Sequence, residues 1–127
     1  MDTKLFRETL DVFTSYIKYK HCSLIDCDKV TQLNISYNFL NDEMLNKYKN
    51  SKNIHKDILN TLTNFIEWDA CTVVLHIIEV VSLYYFNIGK DIIELVTLAA
   101  SALMEHNYNW MVNNNGWDGF IKFLNDN

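Results

Sequence analysis

Few side chains in this sequence are of the types that do covalent or metal chemistry. Cys71 follows Asp69 closely and precedes His76 by little more than a helical turn, the nearest the chain comes to a nucleophile with an acid and a base beside it. The surrounding string, A-C-T-V-V-L-H-I-I-E, is apolar almost all round, which predicts a buried, inert thiol rather than an activated one. His21, Cys22, Cys27 and His55 have the ligand types of a zinc site, but their spacing fits no standard zinc pattern. The chain carries no pair of carboxylates at useful spacing, no Gly-rich phosphate loop and no recognisable Ser/Cys-His motif. These residues imply no catalytic group, no metal and no cofactor, so the function expected is binding.

The elements that must build a binding surface are helical. Pro is absent and Gly numbers 3, so little interrupts a helix, and an all-α fold is the class expected. A length of 127 residues, 49% hydrophobic and 21% charged, is one globular domain with a real core. The net charge of -5 and the lack of a basic stripe argue against nucleic acid but suit a basic, amphipathic partner. An odd number of cysteines, no C-x-x-C and no opening signal peptide predict reduced thiols in the cytosol. The formal glycosylation sequon Asn34-Ile35-Ser36 is then expected to stay unused.

Along the chain, Phe6, Leu10, Phe13 and Ile17 recur at helical spacing, widened by Leu5 and Tyr16, and predict a first helix from Thr3 to Lys20. His21 to Asn53 reads as one or two short helices around Leu33, Tyr37, Leu40, Met44, Leu45 and Tyr48, with Asn and Asp at turns. Lys47 to Lys56 is polar and reads as a loop. Ile54 to Trp68 predicts a helix with Ile58, Leu62, Phe65 and Ile66 on one face. Ala70 to Phe86 predicts a buried central helix, short of the roughly 20 apolar residues of a membrane span. In it His76 is expected at the core edge with a partner, and Glu79 facing solvent or a lysine. Asn87-Ile88-Gly89 is the turn into a partner helix from Lys90 to His106, whose Ala99-Ala100-Ser101-Ala102 patch permits close packing.

The most specific stretch is N-W-M-V-N-N-N-G-W-D-G-F-I-K-F-L, Asn109 to Leu124. One helix ends near Trp110 to Val112, Gly116 suits the turn, and Asp118 lies in the opening turn of a last short helix, where a carboxylate meets exposed amides. Trp110, Gly116, Trp117, Asp118 and Phe120 fall in the order of the second homology motif of the Bcl-2 family, which this stretch resembles. Arg7 to Tyr16, R-E-T-L-D-V-F-T-S-Y, is similar to that family's N-terminal region. The resemblance implies a Bcl-2-like helical bundle around a central hydrophobic hairpin; a plain helical bundle would share that hairpin. The style of the chain, rich in Asn, Ile, Lys and Tyr, resembles the compact members of large DNA viruses.

The family's first motif, Asn-Trp-Gly-Arg, corresponds here to Glu67-Trp68-Asp69-Ala70, with only the Trp retained. In relatives the Arg pairs with an acidic residue of the BH-3 helix; with Ala70 in its place a bond worth about 1.5–3 kcal/mol is absent, which implies a restricted ligand range. By register from Trp68, the resemblance puts Thr72, Val73 and Ile77 on the floor of a ligand groove. Leu62 and Phe65 would line one side and Leu40, Met44 or Tyr48 the other, with packing in the core as the alternative for each. The family's third motif is missing. The implied function is inhibition of host apoptosis by sequestering the BH-3 helix of a pro-apoptotic protein such as Bim, Bak or Bax, Bim foremost. That implies a place in the host cytoplasm, peripheral to mitochondria through partners. With no tail after Asn127 to fill the groove or anchor the chain in a membrane, self-association as a homodimer is also expected. The alternative function is a closed-groove scaffold that modulates host immune signalling through other surfaces.

Overall fold

The structure is a computed structural model that describes residues 3–24, 28–33, 35 and 42–126. Leu40, Tyr37, Cys27 and two positions of the sequon lie outside the described residues. The described chain is all-helical: α1 (Thr3–Cys22), a 3-10 turn (Asp28–Gln32), α2 (Asp42–Lys49), α3 (Ile54–Leu62), α4 (Glu67–Asn87), α5 (Ile93–Asn113) and α6 (Gly116–Asn125).

α4 and α5 form the expected hydrophobic hairpin. Its turn works because Gly89 takes φ 71°, where a side chain would be strained, and because the Lys90 N–H reaches back to the Tyr85 carbonyl at 2.8 Å. Ala99, Ala100 and Ala102 are fully buried on α5, which packs against α1, α3, α4 and α6. With its 21 residues, α4 is longer than the sequence reading made it. By length and composition it could cross a membrane, a correction to the expectation that it is too short. In this fold it is a core helix, with Val73, Val74, Leu75, Ile77 and Ile78 fully buried.

α1 buries Leu5, Thr9, Val12, Phe13, Tyr16 and Ile17, so its inward face is centred beside the expected stripe and leaves Phe6 and Leu10 half-buried. A threonine can occupy that face because its hydroxyl is satisfied twice. Thr9 Oγ1 donates to the Leu5 carbonyl at 2.7 Å and accepts from Trp117 Nε1 at 2.9 Å. Glu79 is half-buried, and Tyr16 donates its hydroxyl to Glu79 Oε1 at 2.8 Å. Burial and that neighbouring carboxylate push the Tyr16 phenol up.

The expected helix from Ile54 to Trp68 is two elements. α3 stops at Leu62, residues 63–66 turn, and Ile66 is extended before α4 begins. Side chains compete with the ladder here, since Thr63 Oγ1 donates to the Asn60 carbonyl at 2.6 Å. The loop expected from Lys47 to Lys56 is only residues 50–53. α2 runs to Lys49, whose ammonium stands 5.3 Å over the Tyr84 ring, and the Asn53 side chain caps α3 by accepting from the Lys56 N–H at 3.1 Å.

Candidate functional site

α6 folds back beneath the hairpin through a turn that only particular residues allow. Asn115 (φ 74°) and Gly116 (φ 58°) take left-handed conformations in succession. At Gly119 a Cβ would lie 1.9 Å from the Asn114 carbonyl oxygen and 3.2 Å from the Trp68 ring, so the helix can approach only because this residue has no side chain. Trp117 is buried; its indole N–H bonds Thr9, and its ring meets Phe13 and Phe120 edge-on at 5.8 and 5.7 Å. Asp118, in the opening turn as expected, also forms an ion pair with Lys29 at 3.0 Å, and Lys29 holds Glu8 at 3.0 Å. Lys29 thus ties the 3-10 turn to α1 and α6. Its bond to Asp118, with Glu8 in support, raises its pKa against the opposing effect of burial.

Trp68, on the first turn of α4, lies at the centre of an aromatic cluster. Its ring is edge-on to Trp110 at 4.4 Å and tilted against Phe120 and Phe123 at 5.6 and 6.3 Å. Trp68 therefore touches residues of the Asn109 to Leu124 stretch. Trp68 is half-buried, and its free side opens on a cleft of about 260 Å³ lined with Ile66, Glu67, Asp69 and Phe123. A second cleft of about 350 Å³ shares Trp68 and Phe123 and adds Gly119, Lys122 and Asp126. Ile66 is 69% exposed, and Glu67 takes φ 57°, a conformation that costs a side-chain-bearing residue about 1–2 kcal/mol. The Glu67 carbonyl accepts from Asn107 Nδ2 at 3.1 Å, and the Phe65 carbonyl bonds His106 Nε2 at 2.7 Å. Both turn carbonyls are thereby held by α5.

Among the described residues, the floor of the expected groove is buried. Leu62, Ala70, Val73 and Ile77 have no exposed surface and belong to the core, which corrects their assignment to groove walls and floor. The cause is that α2 and α3 lie directly against α4, and the Tyr48 hydroxyl, buried, bonds that of Thr61 between them. Thr72 is half-buried with its hydroxyl turned to the Trp68 carbonyl at 3.2 Å; Met44 and Phe65 are also half-buried. Glu67 and Asp69 are exposed. The reading of the sequence missed Ile66, Phe123 and Gly119. A signal existed for Phe123: Trp117, Phe120, Ile121 and Leu124 recur at i, i+3, i+4 and i+7 on one face of a helix, and Phe123 falls to the side of that stripe.

Cys71 is fully buried, with Met111 Sδ at 3.8 Å and Asn107 Nδ2 at 3.9 Å, and burial pushes its thiol up. Asp69 is on the surface, and His76 stands about 7.5 Å further along the helix axis, so no acid–base–nucleophile unit assembles around it. The chain matches no protein-family model, no curated protein and no solved structure.

Proposed function

We propose that this protein is a Bcl-2-like inhibitor of host apoptosis, a compact viral member of that family, which sequesters the BH-3 helix of a pro-apoptotic protein such as Bim. The observation that carries the reading is the meeting of Trp68 with Trp110 and Phe120. The two stretches that resemble the family's motifs form one aromatic cluster, at the end of an apolar hairpin and beside a cleft open to solvent. A helix ligand needs pockets for apolar side chains rather than catalytic groups, and this cleft offers Ile66, Trp68 and Phe123 as walls. Occupation of the longer groove between α2, α3 and α4 requires those short helices to part, since its floor is buried in this state. Self-association belongs to the same proposal, as a second way of covering apolar surface.

The burial of Val73 and Ile77 favours a second reading, a closed-groove scaffold that modulates host immune signalling through other faces. Calorimetric titration with a panel of BH-3 peptides separates the two, with the mass followed by light scattering. Sequestration predicts submicromolar binding of one or a few peptides. Silence across the panel removes it and leaves the scaffold.

A further inference from the structure

The cleft at the head of α4 is apolar inside and negative at its rim. Its walls are Ile66, Trp68 and Phe123, of which Ile66 and Phe123 are exposed, and Glu67 and Asp69 stand between them with exposed carboxylates. Neither carboxylate forms an ion pair among the described residues. In the adjoining cleft Asp126 adds a negative charge and Lys122 a positive one, so the joint rim is negative by two. The first turn of α4 accounts for part of this, because acidic side chains there offset the helix dipole. That dipole is equivalent to about half a charge and cannot neutralise two carboxylates. Ala70, where the resemblance implies an arginine, is buried and brings no positive charge.

A ligand helix that lays an acidic residue against this rim meets repulsion, and one that lays a basic residue there meets two unpaired carboxylates. We infer that the cleft formed by Ile66, Trp68 and Phe123 takes the apolar face of a basic amphipathic helix, with a ligand Lys or Arg set against Glu67 and Asp69. This rests on the helix-sequestering reading above and names the chemistry of the partner: the charge preference is opposite to the one the family resemblance implies. The strained backbone of Glu67 fits a position held for its outward aim, since Asn107 fixes its carbonyl from behind.

The test uses the full chain and two synthetic helical peptides with the same apolar anchors, one bearing Lys and the other Asp beside the central anchor. Each is titrated calorimetrically against the native protein, Glu67→Gln/Asp69→Asn and Phe123→Ala, with circular dichroism verifying that each variant is folded. The expected result is a preference for the Lys peptide of about tenfold, lost in the double charge variant, and weaker binding of both peptides to Phe123→Ala. Equal or tighter binding of the Asp peptide overturns the inference and leaves the helix-sequestering reading standing. A Lys preference that survives Glu67→Gln/Asp69→Asn also overturns it, because overall charge would then be its source. If neither peptide binds while the BH-3 panel does, the inference alone fails; if nothing binds, both fail.

Discussion

Replacing Thr9 by Val tests how α6 is fastened to α1. In the native fold the Thr9 hydroxyl gives its proton to the Leu5 carbonyl and takes the Trp117 indole proton at 2.9 Å, with both residues buried. Valine keeps the shape but leaves the indole N–H without a partner in an apolar site, at a cost of about 1–3 kcal/mol. Trp117→Phe removes the donor, and with it ring volume and the edge contacts to Phe13 and Phe120, for about 2–3 kcal/mol. In the double variant no orphaned N–H remains. Its loss should therefore fall short of the sum of the single losses by about 1–2 kcal/mol. Urea unfolding followed by circular dichroism on the four proteins gives the coupling directly. Additivity within about 0.5 kcal/mol would refute the reasoning and reduce this junction to apolar contact alone.

Gly119→Ala should destabilise the protein by about 2–3 kcal/mol, read as a fall in thermal midpoint, because the new Cβ meets a backbone oxygen that cannot step aside. An unchanged midpoint would mean that the α5–α6 turn relaxes freely. Burial lowers the pKa of His76 below its ordinary 6.5, against a small opposing pull from Glu79. A depressed histidine contributes stability that is fully present above about pH 6.5 and is lost as pH falls towards the folded value. His76→Gln should accordingly flatten the decline in thermal stability between about pH 7 and 5; an unchanged slope would assign it to other groups. In a Cys27→Ser background, a thiol reagent should label exposed Cys22 in the folded protein and reach Cys71 only after unfolding. Prompt labelling of both would revive a chemical role for Cys71.

The hairpin was legible in the sequence because its signal is dense: apolar residues almost all round from Ala70 to Phe86, an Ala patch opposite, and a glycine at the turn. The turn at Trp110 to Trp117 was legible for a similar reason, with Asn and Gly at the positions that take positive φ. The break after Leu62 was not. Ile58, Leu62, Phe65 and Ile66 keep helical spacing across it, and periodicity alone cannot register that Ile66 is extended and exposed. The groove was misread through the same limit. Val73 and Ile77 stand one turn apart on one face of α4, but whether that face meets solvent depends on where α2 and α3 settle, a non-local matter. The cleft itself joins Ile66 to Phe123, residues far apart in the sequence, and only the close approach permitted by Gly119 brings α6 to Trp68.

The most direct measurement is a two-dimensional NMR titration of the three indole N–H signals with a Bim BH-3 peptide. Trp68 and Trp110 share one cluster beside the cleft, whereas Trp117 is sealed against Thr9 and Phe13. The account predicts that the Trp68 and Trp110 signals move with saturation while that of Trp117 stays in place. Signals that all remain fixed while calorimetry records binding would put the ligand elsewhere and contradict the assignment of this cluster as the docking site.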